Sequence, residues 1–294
     1  MERQARHPWQ IWRDRRGRLS LLRIAVFAAL LIPVAIAILD AQTIARGARP
    51  LNDLIHRTGF WALIFLITSL AVTPLRSIVR IGTLIDVRRM IGVAAFAYAA
   101  AHFLLYVADQ QFNLVKVASE IVSRVYLAIG FAALLGLATL AATSTDGMVK
   151  RLGGMTWRRL HQIVYVVTLL ALVHFFQQTK SDVSVPTFAA GVFGWLMGYR
   201  LLAWSRGQGE LSALSLAALT LVVAALTFVA EAVGIGIVFN VSPWRVLQTA
   251  FDFGAEVRPG WLVLAAGLAV VVLDVVRGGI APRRLRGSTG RAAA

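Results

Sequence analysis

No cysteine occurs anywhere in the 294 residues. That absence excludes disulfides, iron–sulfur clusters, thiolate-ligated metal centres and thiol catalysis together. Acidic side chains are scarce too, with 14 Asp and Glu against 30 Lys and Arg. There is no Gly-rich dinucleotide fingerprint, no nucleophile paired with a base, no metal-hydrolase spacing and no internal repeat that the eye picks out. No polar stretch is long enough to fold as a separate globular domain. What the chain has in excess is apolar surface: 58% of residues are hydrophobic and 15% charged, far from a soluble-domain mixture. It reads as an integral membrane protein, and its five histidines are the only good soft ligands it offers.

Eight apolar runs punctuate the chain, approximately Leu19 to Leu39, Leu54 to Leu75, Met90 to Ala108, Val125 to Thr143, Trp157 to Phe176, Val185 to Trp204, Leu211 to Phe239 and Trp261 to Val276. A run of about 20 apolar residues spans a bilayer as a helix, so the expected fold is an all-α bundle of about eight transmembrane helices. The first run competes with a signal peptide, but signal cores take about 7 to 15 residues and this one is longer. It reads as an uncleaved anchor behind a basic leader, residues 1–18.

The net charge of +16 would suggest nucleic acid in a soluble protein. Here its placement accounts for it. With the N-terminus inside, 22 of the 30 Lys and Arg fall on cytoplasmic segments, as the positive-inside rule requires, and both termini are then cytoplasmic. The basic loops and the Gly-, Ala- and Arg-rich tail, residues 277–294, are suited to anionic lipid, and no nucleic acid is called for.

Two histidines bracket the fifth run, WRRLHQIVYVVTLLALVHFF, at His161 and His174. Their thirteen-residue separation is roughly 20 Å along a helix, which puts one near each membrane face. Depth can be compared with the third run. His102 lies thirteen residues beyond Arg89 and His174 fifteen beyond Arg159, or about 20 and 22 Å from the inner boundary on helices running the same way. Two imidazoles at one depth can clamp a single low-spin b-type heme and leave no open position for oxygen chemistry. The bland alternative for any intramembrane histidine is a hydrogen bond to a neighbouring carbonyl.

His161 has no counterpart on the third run, where Arg88 and Arg89 occupy the matching depth. Three readings stand for it: ligand of a second heme with a different partner, contact to a flavin or quinone, or a hydrogen-bonded structural residue. His7 and His56 read as solvated flanking residues. Arg76, Arg88, Arg89 and Arg159 could line an inner cofactor site, and Arg57 and Arg124 an outer one, since guanidinium suits propionates, phosphates and quinone oxygens; topology alone also explains each. Trp61, Tyr98, Tyr106, Trp157 and Tyr165 read as interface or packing aromatics. Gly130 and Gly136 allow close approach of either a macrocycle or a helix.

The runs RTGFWALIFLITSLAVTPLR (57–76), RRMIGVAAFAYAAAHFLLYV (88–107) and RLGGMTWRRLHQIVYVVTLLALVHFF (151–176) resemble the MsrQ (YedZ) family of heme-binding membrane subunits, within the ferric-reductase-like transmembrane group. The resemblance covers about residues 50–205. It implies a six-helix core over 19–205 in a bacterial inner membrane, with family heme histidines matching His102, His161 and His174. It also implies heme b, one or two, an association with FMN, and a quinone or flavin reductase as donor. The partner implied is MsrP, a periplasmic molybdopterin enzyme that reduces methionine sulfoxide in oxidised proteins. Broader ferric reductases resemble a four-histidine, two-heme pattern, and this chain lacks the inner histidine on the third run.

The departure is residues 206–276, where two further runs follow the core. The seventh carries Glu231, readable as a proton relay or a hydrogen bond to a neighbouring helix. The eighth carries Asp274, readable as a snorkelling pair with Arg277. Residues 240–259 have the spacing of a short helix lying on the outer face, where a partner could dock. Two competing functions are a free-standing transmembrane reductase of ferric ion or another small acceptor, and a heme-free transporter or assembly factor with structural histidines.

Overall fold

A computed structural model describes residues 12, 18–40, 49–179, 182–207, 210–254 and 256–280. Most of the basic leader, His7, Arg46, Lys180 and the tail beyond residue 280 lie outside the described residues. Among those described the protein is helical throughout. In chain order the helices are α1 Leu21–Leu39, α2 Pro50–Ile78, α3 Ile85–Asp109, α4 Leu114–Ser123, α5 Val125–Ala142, α6 Asp146–Leu152, α7 Gly154–His161, α8 Val164–Gln178, α9 Ser184–Ser205, α10 Ala213–Phe239, α11 Pro243–Thr249 and α12 Pro259–Ile280.

Seven spans are long and apolar enough to cross a bilayer, with α7 and α8 together making one of them, Gly154–Gln178. The chain is thus a multi-pass helical membrane bundle. The sixth expected run, α9, falls short on hydropathy although its 22 residues reach about 33 Å. The reason lies in its surroundings. Helix α9 packs against α2 and α8 on one side and α10 and α12 on the other, and Trp195, Leu196 and Tyr199 are buried. A helix enclosed by protein has no need of a uniformly lipid-compatible surface. Gly191 meets Val263 and Thr227, and Gly198 meets Leu219, each closer than a Cβ would allow, so the glycines set the helix spacing.

Around this axis α2 pairs with α3 and α5 with α8, and α3 against α5 closes a four-helix core. Helix α1 stands at the rim, tied by Tyr98, whose phenol donates to the Leu30 carbonyl at 2.8 Å, and by Arg23, which donates to the Asp86 carbonyl. The expected continuous helix through His161 and His174 is broken. Gln162 and Ile163 donate to Arg159 and Leu160, three residues back, so a tight turn separates α7 from α8. No proline or glycine causes it; the turn follows directly on the His161 contacts described below.

The C-terminal pair, α10 and α12, packs tightly, with Gly267 against Thr220 and Gly260 against Phe228. Helix α10 ends at Asn240 in the left-handed region, φ 52°, a position that favours asparagine or glycine. The short helix expected within 240–259 is present as α11. Glu231 finds its partner outside the neighbouring helices: Arg258, in the segment leading into α12, reaches it at 3.4 Å and also Thr249 at 3.3 Å. Asp274 forms no ion pair with Arg277 among the described residues and is only partly buried, so the snorkelling pair is not formed.

Glu231 is 4% exposed and Arg258 29%. Removing one member of such a pair strands the other, which costs about 3 kcal/mol here, the low end of the usual range because Arg258 keeps some access to solvent. Glu231→Ala should therefore lower the thermal midpoint of the detergent-solubilised protein clearly. Glu231→Gln, which still accepts a hydrogen bond, should lower it less.

Candidate functional site

His102 on α3 and His174 on α8 bring their rings to 6.2 Å between centroids, with planes 80° apart. The depth comparison led to the expectation that they would meet, and they do. Each ring is held by one hydrogen bond. His102 Nδ1 donates to the Ile55 carbonyl of α2 at 2.7 Å, and His174 Nδ1 donates to the Tyr126 carbonyl of α5 at 2.8 Å. A carbonyl only accepts, so the proton sits on Nδ1 and Nε2 keeps its lone pair. The bland reading and the ligand reading of these histidines are therefore compatible: the carbonyl takes one nitrogen and leaves the other.

Both rings line a cavity of about 320 Å³ enclosed by α2, α3, α4, α5 and α8. Its deep wall is apolar, with Leu63, Leu66, Ala133 and Leu137, and its rim is polar, with Asn52, His56, Asp109, Glu120, Arg124 and Gln178. Such a cavity suits a flat apolar body with a polar edge. At the rim Tyr106 donates to Glu120 at 3.0 Å, and Arg124 reaches both Glu120, at 3.4 Å, and the Tyr126 phenol, at 3.0 Å. The bond to Tyr126 and the charge of Glu120 raise the Arg124 guanidinium above its ordinary value, so it is a permanent cation at the cavity mouth. Arg57 instead pairs with Asp40 at 3.1 Å.

Two ligands are too few for a metal held by protein alone, and no cluster of three or more His, Asp or Glu exists among the described residues. They are enough for a metal that brings its own equatorial ring. An imidazole nitrogen lies about 1.1 Å from its ring centroid and a metal–imidazole bond is about 2.0–2.1 Å, so a metal bridging two rings in line sets their centroids about 6.2–6.4 Å apart. The observed 6.2 Å agrees, and the residues present fit an iron macrocycle.

A family model described as "Ferric reductase like transmembrane component" matches residues 58–172, which include His102 and His161 and stop two residues before His174. A protein-methionine-sulfoxide reductase heme-binding subunit MsrQ from Rhodospirillum rubrum is 42% identical over 193 residues, covering 65% of this chain and 89% of that protein. MsrQ proteins of Xanthomonas oryzae pv. oryzae and Xanthomonas campestris pv. campestris are each 40% identical, over 188 and 191 residues, covering 62% and 63% of this chain and 85% and 86% of theirs.

The chain belongs to the MsrQ family. No solved structure matches it. About a third of the chain lies outside the alignment with the R. rubrum MsrQ.

His161 lies apart from the pair; the other described histidines, His56, His102 and His174, all line the cavity described above. It contacts Thr143, at the end of α5, through Nε2 at 3.1 Å, and stacks on Trp157 with centroids 4.0 Å apart. Trp157 in turn donates to the Thr143 carbonyl at 2.9 Å. The single Thr143 hydroxyl proton is best used on the Thr139 carbonyl at 2.8 Å, so His161 Nε2 carries the proton and Nδ1 is bare. This is the opposite tautomer to that of the His102/His174 pair.

Of the arginines expected at an inner site, Arg76 and Arg159 are exposed, Arg89 pairs with Asp146, and Arg88 is half-buried. Arg200 turns inward beside them. It donates to the Leu70 and Leu196 carbonyls at 2.6 and 2.8 Å and lies over the Tyr165 ring, 5.5 Å from its centroid. Arg200 reads from sequence only as a topology charge. The larger omissions are Gly59 and the carbonyls of Ile55 and Tyr126, which no local pattern reveals. An added Cβ at Gly59 or Gly130 would meet the His102 or His174 ring, so Gly130 admits a histidine, whereas Gly136 admits only Val167.

Thr143 binds His161 and Trp157 at once. Thr143→Val and His161→Ala should each destabilise the protein by about 1 kcal/mol, and a double-mutant cycle of thermal or denaturant unfolding should show coupling of similar size. Additivity would mean that the contact contributes nothing to stability.

Proposed function

We propose that this chain is the heme-binding membrane subunit of a protein-methionine-sulfoxide reductase system. It would hold one b-type heme between His102 and His174 near the outer face. The observation that carries this reading is the pair of imidazoles at 6.2 Å, each with Nδ1 tied to a helix carbonyl. Heme held by His102 and His174 would supply one-electron transfer and would leave no open position for oxygen chemistry.

The remaining work belongs to the chain. Ile55 and Tyr126 fix the tautomers, the apolar wall of Leu63, Leu66 and Leu137 keeps water from the deep cavity, and Arg124 offers a cation to carboxylates at the rim. A periplasmic molybdopterin partner of the MsrP type would collect electrons there and perform the chemistry on methionine sulfoxide. On the inner side Arg88, Arg200, Tyr165 and His161 provide cations and hydrogen-bonding groups suited to a quinone or flavin donor, FMN included. His161 is there a structural or donor-site residue, a reading supported by its Thr143 contact and by the other described histidines lining a cavity that does not include it.

The topology belongs to the same proposal. Eight crossings, with α9 counted as one, place both termini in the cytoplasm and the His102/His174 cavity on the periplasmic side of the inner membrane. Residues 19–205 form the heme core and 206–276 an added pair. Because the chain has no cysteine, single cysteines can be introduced without background. One placed in the 277–294 tail should react with an impermeant thiol reagent only after the inner face is opened, and one at Ser119 should react in intact cells. The reverse pattern would overturn the orientation.

The functional test is a reduced-minus-oxidised spectrum with heme stoichiometry. Wild type should show one low-spin b-type heme per chain. His102→Ala and His174→Ala should each lose it, and His161→Ala should keep it. Loss of a second heme in His161→Ala would make the chain a two-heme wire, and a folded, heme-free wild type would remove the electron-transfer reading altogether.

A further inference from the structure

The two histidine cradles are copies of one local device. On α2 the sequence Ile55-His-Arg-Thr-Gly59-Phe60 presents a carbonyl and, one helical turn later, a glycine. On α5 Tyr126-Leu-Ala-Ile-Gly130-Phe131 presents the same pair at the same spacing. Residues four apart lie on one helix face, so each ring rests over the turn between its carbonyl and its glycine. The repeat that the sequence does not announce is thus present as a four-residue device.

In each cradle the glycine is required by the hydrogen bond itself. A Cβ at Gly59 would stand 2.9 Å from His102 Nδ1 and 3.0 Å from Cε1, and one at Gly130 would stand 2.7 Å from His174 Nδ1 and 2.8 Å from Cε1. These contacts fall on the donating nitrogen, and the obstacle would be helix-anchored, with no rotamer to relieve it. A methyl there and a bond from Nδ1 to the carbonyl one turn back compete for the same space. The carbonyl fixes where Nδ1 sits, and the bare glycine surface fixes how far the ring can lie against the helix. Together they leave little freedom of rotation about the Cβ–Cγ bond.

Because the two cradles are on different helices, α2 and α5, each ring takes its plane from its own cradle, and the planes come out 80° apart. We propose that Gly59 and Gly130 are positioning residues that hold the two imidazole planes near-perpendicular, and thereby set the electronic state of the heme iron. This rests on the reading of His102 and His174 as axial ligands. Each imidazole donates π density into the iron d orbital perpendicular to its own plane. Parallel planes concentrate that donation in one orbital and split the pair strongly; perpendicular planes divide it and leave the pair nearly degenerate. The plane angle is therefore visible in the electron paramagnetic resonance spectrum of the ferric protein, independently of any acceptor.

The test is that spectrum for purified wild type, Gly59→Ala, Gly130→Ala and Gly136→Ala. Wild type should give the strongly anisotropic low-spin signal with one large g value that perpendicular imidazoles produce. Gly59→Ala and Gly130→Ala should shift the signal to the rhombic type or weaken heme retention by about 10- to 100-fold, the range seen when support of a metal-ligating histidine is lost. Gly136→Ala is the control for helix spacing, since its Cβ would strike Val167 at the same α5–α8 contact and touch no histidine. It should keep the wild-type signal even if its thermal midpoint falls. A rhombic, parallel-type signal in heme-loaded wild type overturns the proposal without reference to any variant. So does an unchanged signal and unchanged heme content in both histidine-cradle variants, or a Gly136→Ala change as large as theirs. If wild type carries no heme, the axial-ligand reading itself fails, and that result is distinct from all of these.

Discussion

The hydrogen bond from a histidine Nδ1 to the carbonyl of a neighbouring transmembrane helix is the constraint on which the rest of this structure depends. In hydrocarbon every backbone carbonyl is already engaged by its own helix, but it has a second lone pair. A ring donor can use that lone pair without breaking the ladder, provided the donor can reach the helix surface. Reaching it requires a glycine one turn along, and it requires the two helices to pack side by side. The pairings of α2 with α3 and α5 with α8 satisfy both demands. The tautomer of each imidazole, the helix spacing and the lone pair kept on each Nε2 then follow from one type of contact made twice.

Much of this was legible before any coordinates because the rise of a helix is fixed. Counting residues from Arg89 and Arg159 located His102 and His174 at one depth, and the apolar runs marked the membrane helices within a few residues. The legible features share a property: each is a periodicity or a distance along one element. The features that escaped are contacts between elements. Gly59 looks like any glycine in a membrane helix until His102 is laid on it, and nothing near Glu231 in sequence points to Arg258. Gly130 and Gly136 are indistinguishable on α5 except by what faces them. Helix α9 reads as an ordinary span because a hydrophobic count does not tell lipid from protein.

The two ends of the α7–α8 segment show how one residue type takes opposite roles. At the α8 end histidine meets a carbonyl through Nδ1 and keeps Nε2 bare. At the α7 end Thr143, whose own proton goes to the Thr139 carbonyl, accepts a hydrogen bond from His161 Nε2, and the ring stacks on Trp157. The tight turn at Gln162 and Ile163 separates these two environments, so the azimuth of His161 is no longer dictated by that of His174. A single unbroken helix would tie the two rings at roughly 140° apart. The break lets each end be set by its own neighbours.

The C-terminal pair can be understood through the same requirement for fixed positions. A ring-bearing helix that shifted by a fraction of an ångström would lengthen a 2.7 Å bond and release the plane it holds. Helix α2 carries Ile55 and Gly59 and has one flank available for support. Helix α9 covers that flank, joined to α2 by the Arg200 bond to Leu70, and α9 is itself held by α10 and α12 through Gly191, Gly198 and the Trp195–Thr220 bond at 3.0 Å. The ion pair of buried Glu231 with Arg258 closes the C-terminal part of α10 against the start of α12. Packing of this density behaves as a rigid support, so the added helices extend stiffness through α9 to the helix that carries one of the two cradles, without contributing a side chain to the cavity.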